Sequence, residues 1–516
     1  MNAERIAWFL ILGAVGVGVA MAVANIAERP REASLQAARP MLRPPRIHPD
    51  YHSLTIPPNI APLNFRVEES GDRFVVRIHS DQGTPVEVFS RSGEMEIPPE
   101  AWRSLLAENR GKELFIDVFV RCDGVWHRYE TVTNQVAEED IDSHIVYRLL
   151  RPDALYYRRI GIYQRDLETH EESAVLDGRW FGGGCVHCHA FQAWNPNRLS
   201  LNFRGNYGDG SLFAEDGQLH TVAGRLGHAA WHPTGQVVAF SRFDIQLFYH
   251  TARAQTRDAM DSNSDLAYYR LDCRKLKTVP SIADPSQLET QPAWSPDGKH
   301  LYFASAPKRW PDYTTFPKEH LAQLRYDLKR ISYDVETDRW GTVETVLSAA
   351  RTGKSNVNPR VSPDGRFLLF SMCDRGNFAL YQPESDLYLL NLETSDFWKL
   401  ECNSDFAESW HCWSSNGRWI AFSSKRPTGI FTRLYLAHVD QAGHASKPFV
   451  LPQRRPDFYD DFLLMYTLPE FTAGPVSVSR RALLNAVRNS HRVQVDGDLR
   501  ATPQAPSPGR RRLGPE

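Results

Sequence analysis

The sequence has almost no net charge: 60 Lys and Arg stand against 62 Asp and Glu, a formal balance of −2 over 516 residues. A dedicated nucleic-acid binder carries a basic excess, so this balance argues against that class. No Ser-His-Asp arrangement and no phosphate-cradling glycine loop rises above background, which leaves hydrolase and nucleotide chemistry without a foothold. Cysteine is scarce. Of seven cysteines, only Cys185 and Cys188 lie within three positions of each other. What is abundant is turn-forming residues. Thirty-four prolines and 32 glycines are spread along the chain, which points to many turns and an all-β architecture. The length exceeds one ordinary core and calls for two to three domains with flexible ends.

One long apolar run stands at the amino terminus. Residues 6–27, "IAWFLILGAVGVGVAMAVANIA", carry no charge over 22 positions, enough to span a bilayer as a helix. The competing reading is a cleaved signal peptide, with Arg5 as its basic region and Ala22-Val23-Ala24 as its cleavage site. Either way residues 1–28 are an export or anchor segment. Arg29, Arg31, Arg39, Arg43 and Arg46 follow it, and by the positive-inside tendency they would hold the body in the cytoplasm.

Residues 29–60 are rich in Pro and Arg with little apolar periodicity and read as a linker. Residues 61–160 alternate apolar and polar positions, as in "RFVVRIHS" and "ELFIDVFVRC", and predict a small β-sandwich-like domain. Its one helix is "PPEAWRSLLAENRG" (98–111), with Trp102, Leu105 and Leu106 on one face and Gly111 at the end. From about 220 the chain repeats. "WHPTGQVVAFS" starts at Trp231, "WSPDGKHLYFAS" at Trp294, "VSPDGRFLLFS" at Val361 and "WSSNGRWIAFSS" at Trp413, spaced by 63, 67 and 52 residues. Each copy is a tight turn followed by a β-prone run, the mark of a propeller blade. The length allows six blades, placed over 206–470. A first blade hides in "RLSLNFRGNYGDGSLFAEDGQLHTVAG" and a last in "TRLYLAHVDQAGHASKPFVLP". The tail, 471–516, has eight Arg and few large apolar residues and reads as largely disordered.

The chemistry concentrates in "GGGCVHCHAFQ" (182–192), within a segment 161–205 that leads into the repeats. Cys185-Val186-His187-Cys188-His189 fits C-x-x-C-H, the attachment signature of c-type haem. Two thiols three apart reach the two vinyl groups of the porphyrin, and the next residue, His189, swings beneath the ring to bind iron. The glycines before it suit a backbone passing close to the macrocycle. A zinc site would need a fourth ligand, and no second C-x-x-C or H-x-x-H follows. A redox dithiol would want a strand–helix–strand context, and none surrounds the motif. Haem c is attached outside the cytoplasm, in agreement with the export segment and against the arginine count. For the sixth iron position the candidates are His220, His228, His232, His250, His411, Met260 and Met372. His232 and His411 sit in or beside repeat turns. His187 is a haem neighbour more than a ligand.

Weaker features remain. Cys402 and Cys412 are ten apart, and a bridge between them or two buried thiols are both open. Cys122, Cys273 and Cys373 have no evident partner. "DSNSDL" (261–266) resembles half of a calcium loop but reads as a turn closed by Asp side chains. "SSKRPTGIFTR" (423–433) reads as a solvated loop, with a basic propeller mouth as the rival.

Together "IPPNIAPLNFRV", "GIYQRDLE", "CVHCHAF", "WHPTGQVVAFS", "PAWSPDGKHLYFASA", "NPRVSPDGRFLLFS" and "SWHCWSSNGRWIAFSSKR" resemble bacterial exported TolB-like proteins with one c-haem motif. The likeness covers roughly residues 56–470. A more distant likeness is to the propeller and haem region of the hydrazine synthase alpha subunit. The resemblance implies a six-bladed propeller, haem attachment at Cys185 and Cys188, and His189 as iron ligand. It implies no substrate. The expectation is therefore a membrane-anchored, periplasm-facing protein with one covalently bound haem c. It would exchange electrons with a redox or envelope partner. An enzyme with an open iron site for a small nitrogen or oxygen species, and a scaffold subunit, are the alternatives.

Overall fold

The protein is described by a computed structural model covering residues 31–152, 160–224, 226–249, 257–309 and 318–489. The anchor or signal segment (1–28), His250 and the tail beyond 489 lie outside these residues. Among the described residues, no helix is long and apolar enough to cross a membrane. The chain divides into two compact units. One holds residues up to 58, 62–138 and 452–461; the other holds 59–61, 139–451 and residues from 462 onward.

The first unit contains a seven-stranded and a three-stranded sheet. Its long strands are Arg73–His79 and Glu113–Cys122, paired antiparallel; in place of strict alternation both bury consecutive apolar residues, Phe74–Val76 and Val118–Val120. The predicted helix forms over Pro99–Glu108 and buries Trp102, Leu105 and Leu106. Residues 31–60 are not a free linker. They form a short helix, Glu32–Gln36, and strands Arg39–Pro40, Ile47–His48 and Thr55–Ile56. Ile47, Tyr51, Leu54 and Ile56 are buried. Strands of two residues leave no period to detect, so a Pro-rich stretch that packs looks like one that does not.

The second unit is six consecutive four-stranded antiparallel sheets, an arrangement consistent with a β-propeller. The first sheet takes His144–Leu150, Gly161–Asp166 and Glu172–Asp177 from the near end of the chain. Its innermost strand, Met465–Thr472, comes from the far end. The remaining five begin with innermost strands Cys185–Gln192, Gly227–Trp231, Gln287–Trp294, Ser355–Val361 and Glu408–Trp413. The repeated turns fall where expected, each joining an innermost strand to the next. Two expectations change. The sheets start at His144, not at 206, and residues 161–205 are not a separate attachment segment: they supply strands of the first two sheets. The start of the tail is structured too. Helix Arg480–Arg488, capped by Ser479, buries Leu483 and Val487 against the first two sheets.

Apolar clusters fill the spaces between neighbouring sheets. Val146, Ile162, Leu201 and Phe203 lie between the first and second. Trp231, Phe240 and Phe213 join the second and third, and Leu301, Phe303 and Tyr268 the third and fourth. Burying one such side chain stabilises by roughly 1.5–3 kcal/mol, so the sheets hold one another through their faces.

Candidate functional site

Each innermost strand is interrupted at the same level. Its pairing register slips by one residue, and the residue at the slip has a left-handed backbone. The six are Cys188 (φ 49°), His228 (47°), Gln291 (57°), Asn358 (55°), Trp410 (48°) and Leu468 (52°). None is glycine, so each costs about 1–3 kcal/mol of strain that the surrounding sheets must hold. A bulge re-aims its side chain, and all six line one cavity of about 40 Å³, room for a few water molecules. The wall has two halves. His228, Gln291 and Asn358 make a polar arc; Trp410, Leu468 and Cys188 make a soft, apolar one. One residue further along, the cavity is lined by His189, Ala229, Pro292, Pro359, His411 and Pro469.

The motif is the innermost strand of the second sheet. Its approach is shaped locally. Gly182 and Gly183 have φ of 78° and 75°, and a Cβ on Gly184 would stand 1.9 Å from the Phe181 ring. Turn geometry and the packing of Phe181 thus account for the three glycines, in place of passage beneath a macrocycle. On a plain strand, residues three apart face opposite sides. The bulge at Cys188 breaks that alternation. Cys188 lines the cavity, while Cys185 is buried in an apolar cluster with Leu150, Ile160, Phe378, Leu380, Trp410 and Met465. Trp410 belongs to both the cluster and the cavity wall, and Leu468 packs on the first and lines the second. The two thiols therefore border one continuous region. The third sheet's long hairpin, Val237–Tyr249 and Arg257–Arg270, brings Leu247 and Ala259 onto the same cluster.

His189 is 6% exposed; neither ring nitrogen makes a well-aligned hydrogen bond, and the Val146 backbone carbonyl lies nearest in that role. Burial, with Arg148 as a smaller contributor, lowers its pKa to about 3. The ring is neutral at physiological pH, and a nitrogen lone pair is available. A buried imidazole without a well-aligned hydrogen bond costs free energy unless something binds it. Burial pushes the Cys188 thiol pKa up, the reverse of what an attacking dithiol needs. All seven cysteines are thiols without disulfides, and Cys402 and Cys412 are buried. Among the described residues, no group of three or more His, Cys, Asp and Glu side chains is placed to hold a metal ion on its own. The donor set fits a covalently tethered haem better than a bare ion: two thiols and one neutral imidazole beside an apolar cluster and a cavity.

The other candidates disperse. His232 sits in a repeat turn, its nitrogens 2.8 Å from Thr234 Oγ1 and 3.0 Å from the Gly298 carbonyl. His411 lines the cavity, but its Nε2 is 3.2 Å from the Leu369 carbonyl and its Nδ1 3.5 Å from Ser371 Oγ; burial lowers its pKa to about 3. Met372 is buried with Tyr302, Leu368 and Phe370, and Met260 with Leu288 and Tyr326, away from the cavity wall. His220 stacks on Phe213 in the outermost strand of the second sheet. His187 Nδ1 lies 3.4 Å from Cys188 Sγ. His228 lines the cavity, its ring stacked on Trp410 and its Nε2 3.3 Å from Asp261 Oδ2.

"DSNSDL" is no turn: it lies inside strand Arg257–Arg270. The stretch 423–433 is no solvated loop. Lys425 is 3% and Arg433 5% exposed, and Arg426 pairs with Glu408 at 2.9 Å. Arg360, on the cavity wall, reaches from the fifth sheet to Glu470 on the first at 2.7 Å.

No protein-family pattern and no curated protein sequence matches the chain. Solved structures that align with it include an oligogalacturonate lyase in complex with manganese, at 15% identity over 72% of this chain and 99% of the lyase, with a TM-score of 0.30. An oligogalacturonate lyase from Vibrio parahaemolyticus aligns at 15% identity over 73% of this chain and 100% of that one, with a TM-score of 0.30. A prolyl oligopeptidase B from Galerina marginata aligns at 11% identity over 65% of this chain, with a TM-score of 0.32, and the match spans only 42% of that longer protein. At these scores the likeness adds nothing to what the sheets themselves show.

Proposed function

We propose that the chain is a six-bladed propeller protein that holds one haem c through thioether bonds from Cys185 and Cys188, with His189 as iron ligand. In this reading it passes electrons to or from a redox or envelope partner. The observation that carries the reading is His189: buried and neutral, next in sequence to a thiol on the same cavity. The resemblance of the motif and repeats to exported TolB-like haem proteins supports it, and the charge-free stretch at 6–27 supports membrane anchoring on the periplasmic side. When bound, haem supplies an iron that gains and loses one electron. The chain's own residues do the rest. The thiols fix the group by adding across its vinyl carbons, and His189 offers a lone pair with no proton to lose first. Leu150, Ile160, Phe378, Leu380 and Met465 keep water away and so tune the potential.

The test is the intact mass of the denatured full-length chain, with haem staining of a denaturing gel, after expression alongside a haem c attachment system. The wild type should carry one haem that survives denaturation, and the Cys185→Ala, Cys188→Ala double variant none. An unmodified wild-type chain would overturn the proposal.

A further inference from the structure

We propose that two copies of this chain pair through the outermost strand of the fourth sheet, Arg339–Leu347, laid antiparallel edge to edge. The pairing is independent of the haem reading. An outermost strand leaves one row of backbone N–H and C=O groups that its own sheet does not take up. Among the described residues, five of the six such edges are covered or short. Glu172–Asp177 and Gln218–Ala223 lie against helix Arg480–Arg488. Lys275–Lys277, Phe397–Lys399 and Phe449–Val450 run for three residues at most. Arg339–Leu347 runs for nine, and residues 341–345 are exposed without a break, so neither face of that stretch is packed. Val343, 37% exposed, is one of the few large apolar residues left at the surface.

The edge is complementary to itself. Gly341 and Thr342 form a bulge against Ser332, between the pairs Tyr333–Trp340 and Ile331–Val343. The extra residue breaks the alternation, so Trp340 and Val343 share one face, and Arg339 and Glu344 share the other. A two-fold axis through the bulge, perpendicular to the sheet, sets Trp340 opposite Val343 of the second copy and Arg339 opposite its Glu344. Glu344 already pairs with Arg330 at 2.8 Å, and Arg339 stands opposite Asp334. One face of the joined sheet then carries a row of alternating charge across four strands: Arg330, Glu344, Arg339 and Asp334. The other face carries Ile331, Val343, Trp340 and Tyr333, the last two with ring centroids 4.3 Å apart. Opposite charges directly across a strand pair are stabilising, and like charges the reverse. Moving the axis one position either way sets Val343 or Trp340 against itself and leaves both charges unmatched. A contact confined to one edge buries less than a permanent interface does, so the pair is weak and forms with rising concentration.

The test is sedimentation equilibrium of the full-length chain in density-matched detergent, from about 1 μM to about 1 mM, the range of weak association. The wild type should pass from monomer to dimer. Arg339→Glu and Glu344→Arg each set like charges opposite one another twice in a symmetric pair, and each alone should weaken association about ten-fold or more. Mixed in equal amounts, the two variants should associate as the wild type does, because each edge carries the charge the other lacks; that recovery also shows that both are folded. A wild type that stays monomeric, single variants that associate as tightly as the wild type, or a mixture no tighter than its components would each overturn the pairing. Dimers held elsewhere, as through residues 6–27, give the second of these results.

Discussion

Glu289 allows the buried electrostatics of the second unit to be measured without reference to any cofactor. It lies in the innermost strand of the fourth sheet, 2% exposed. Burial, helped by the nearby Asp265 charge, raises its pKa to about 8. Its folded pKa thus lies above the unfolded value near 4.5, and the folded state binds the extra proton between the two. Stability must therefore fall as pH rises through that window. His189 and His411 slope the other way: their folded values near 3 make stability rise with pH, levelling off above the unfolded value near 6.5. A comparison with a Glu289 variant cancels these and every other shared titration. What remains is the Glu289 contribution, at most about 1.4 kcal/mol per pH unit and roughly 2 kcal/mol between pH 6.5 and 8. Glu289→Gln keeps the shape and abolishes the charge. In urea titrations read by tryptophan fluorescence at pH 6.5, 7.2 and 8, the variant should gain about 2 kcal/mol on the wild type between the ends of the series. A wild-type-to-variant difference that does not change with pH would refute the burial argument for this carboxyl.

Two further perturbations probe the motif strand and the cavity wall. Gly184→Ala places a methyl against the buried Phe181 ring and should cost about 1–3 kcal/mol by overpacking. Gly183→Ala, which meets nothing within 4 Å, should cost only about 1 kcal/mol for its left-handed backbone; equal thermal midpoints for the two would sink that account. Arg360→Gln leaves the Glu470 carboxyl, already raised in pKa by burial, without its 2.7 Å partner. The expected loss is about 1.5–3 kcal/mol at neutral pH, shrinking as pH falls and the carboxyl takes a proton. Adding Glu470→Gln should recover part of it, and strict additivity in urea midpoints would count against the pair.

The repeats made four sheets legible because each carries its Pro-Asp-Gly-type turn at one fixed place. The first sheet's innermost strand comes from residues 465–472 and is not joined by a turn to His144–Leu150 beside it, so nothing local announced it. Cys185, Cys188 and His189 stand out in the sequence as candidates because they lie within five positions. The bulge at His228 was not legible. His228 stood among seven candidates, and "GHAAW" carries no sign of a left-handed residue. That conformation arises from pairing with a strand of fixed length and from neighbours on the other sheets. The same holds for Asp261, whose partners Thr290 and Asn377 lie 29 and 116 residues away.

The closing strand sets an order of events. Met465–Thr472 packs between the sixth sheet and the motif strand, yet it is made some 270 residues after Cys188. Contacts that span so much chain form late. During synthesis the motif strand is therefore open on one side, with its thiols reachable from there. Once residues 465–472 have seated themselves, that side is shut, and Cys185 is reached only by peeling the strand away.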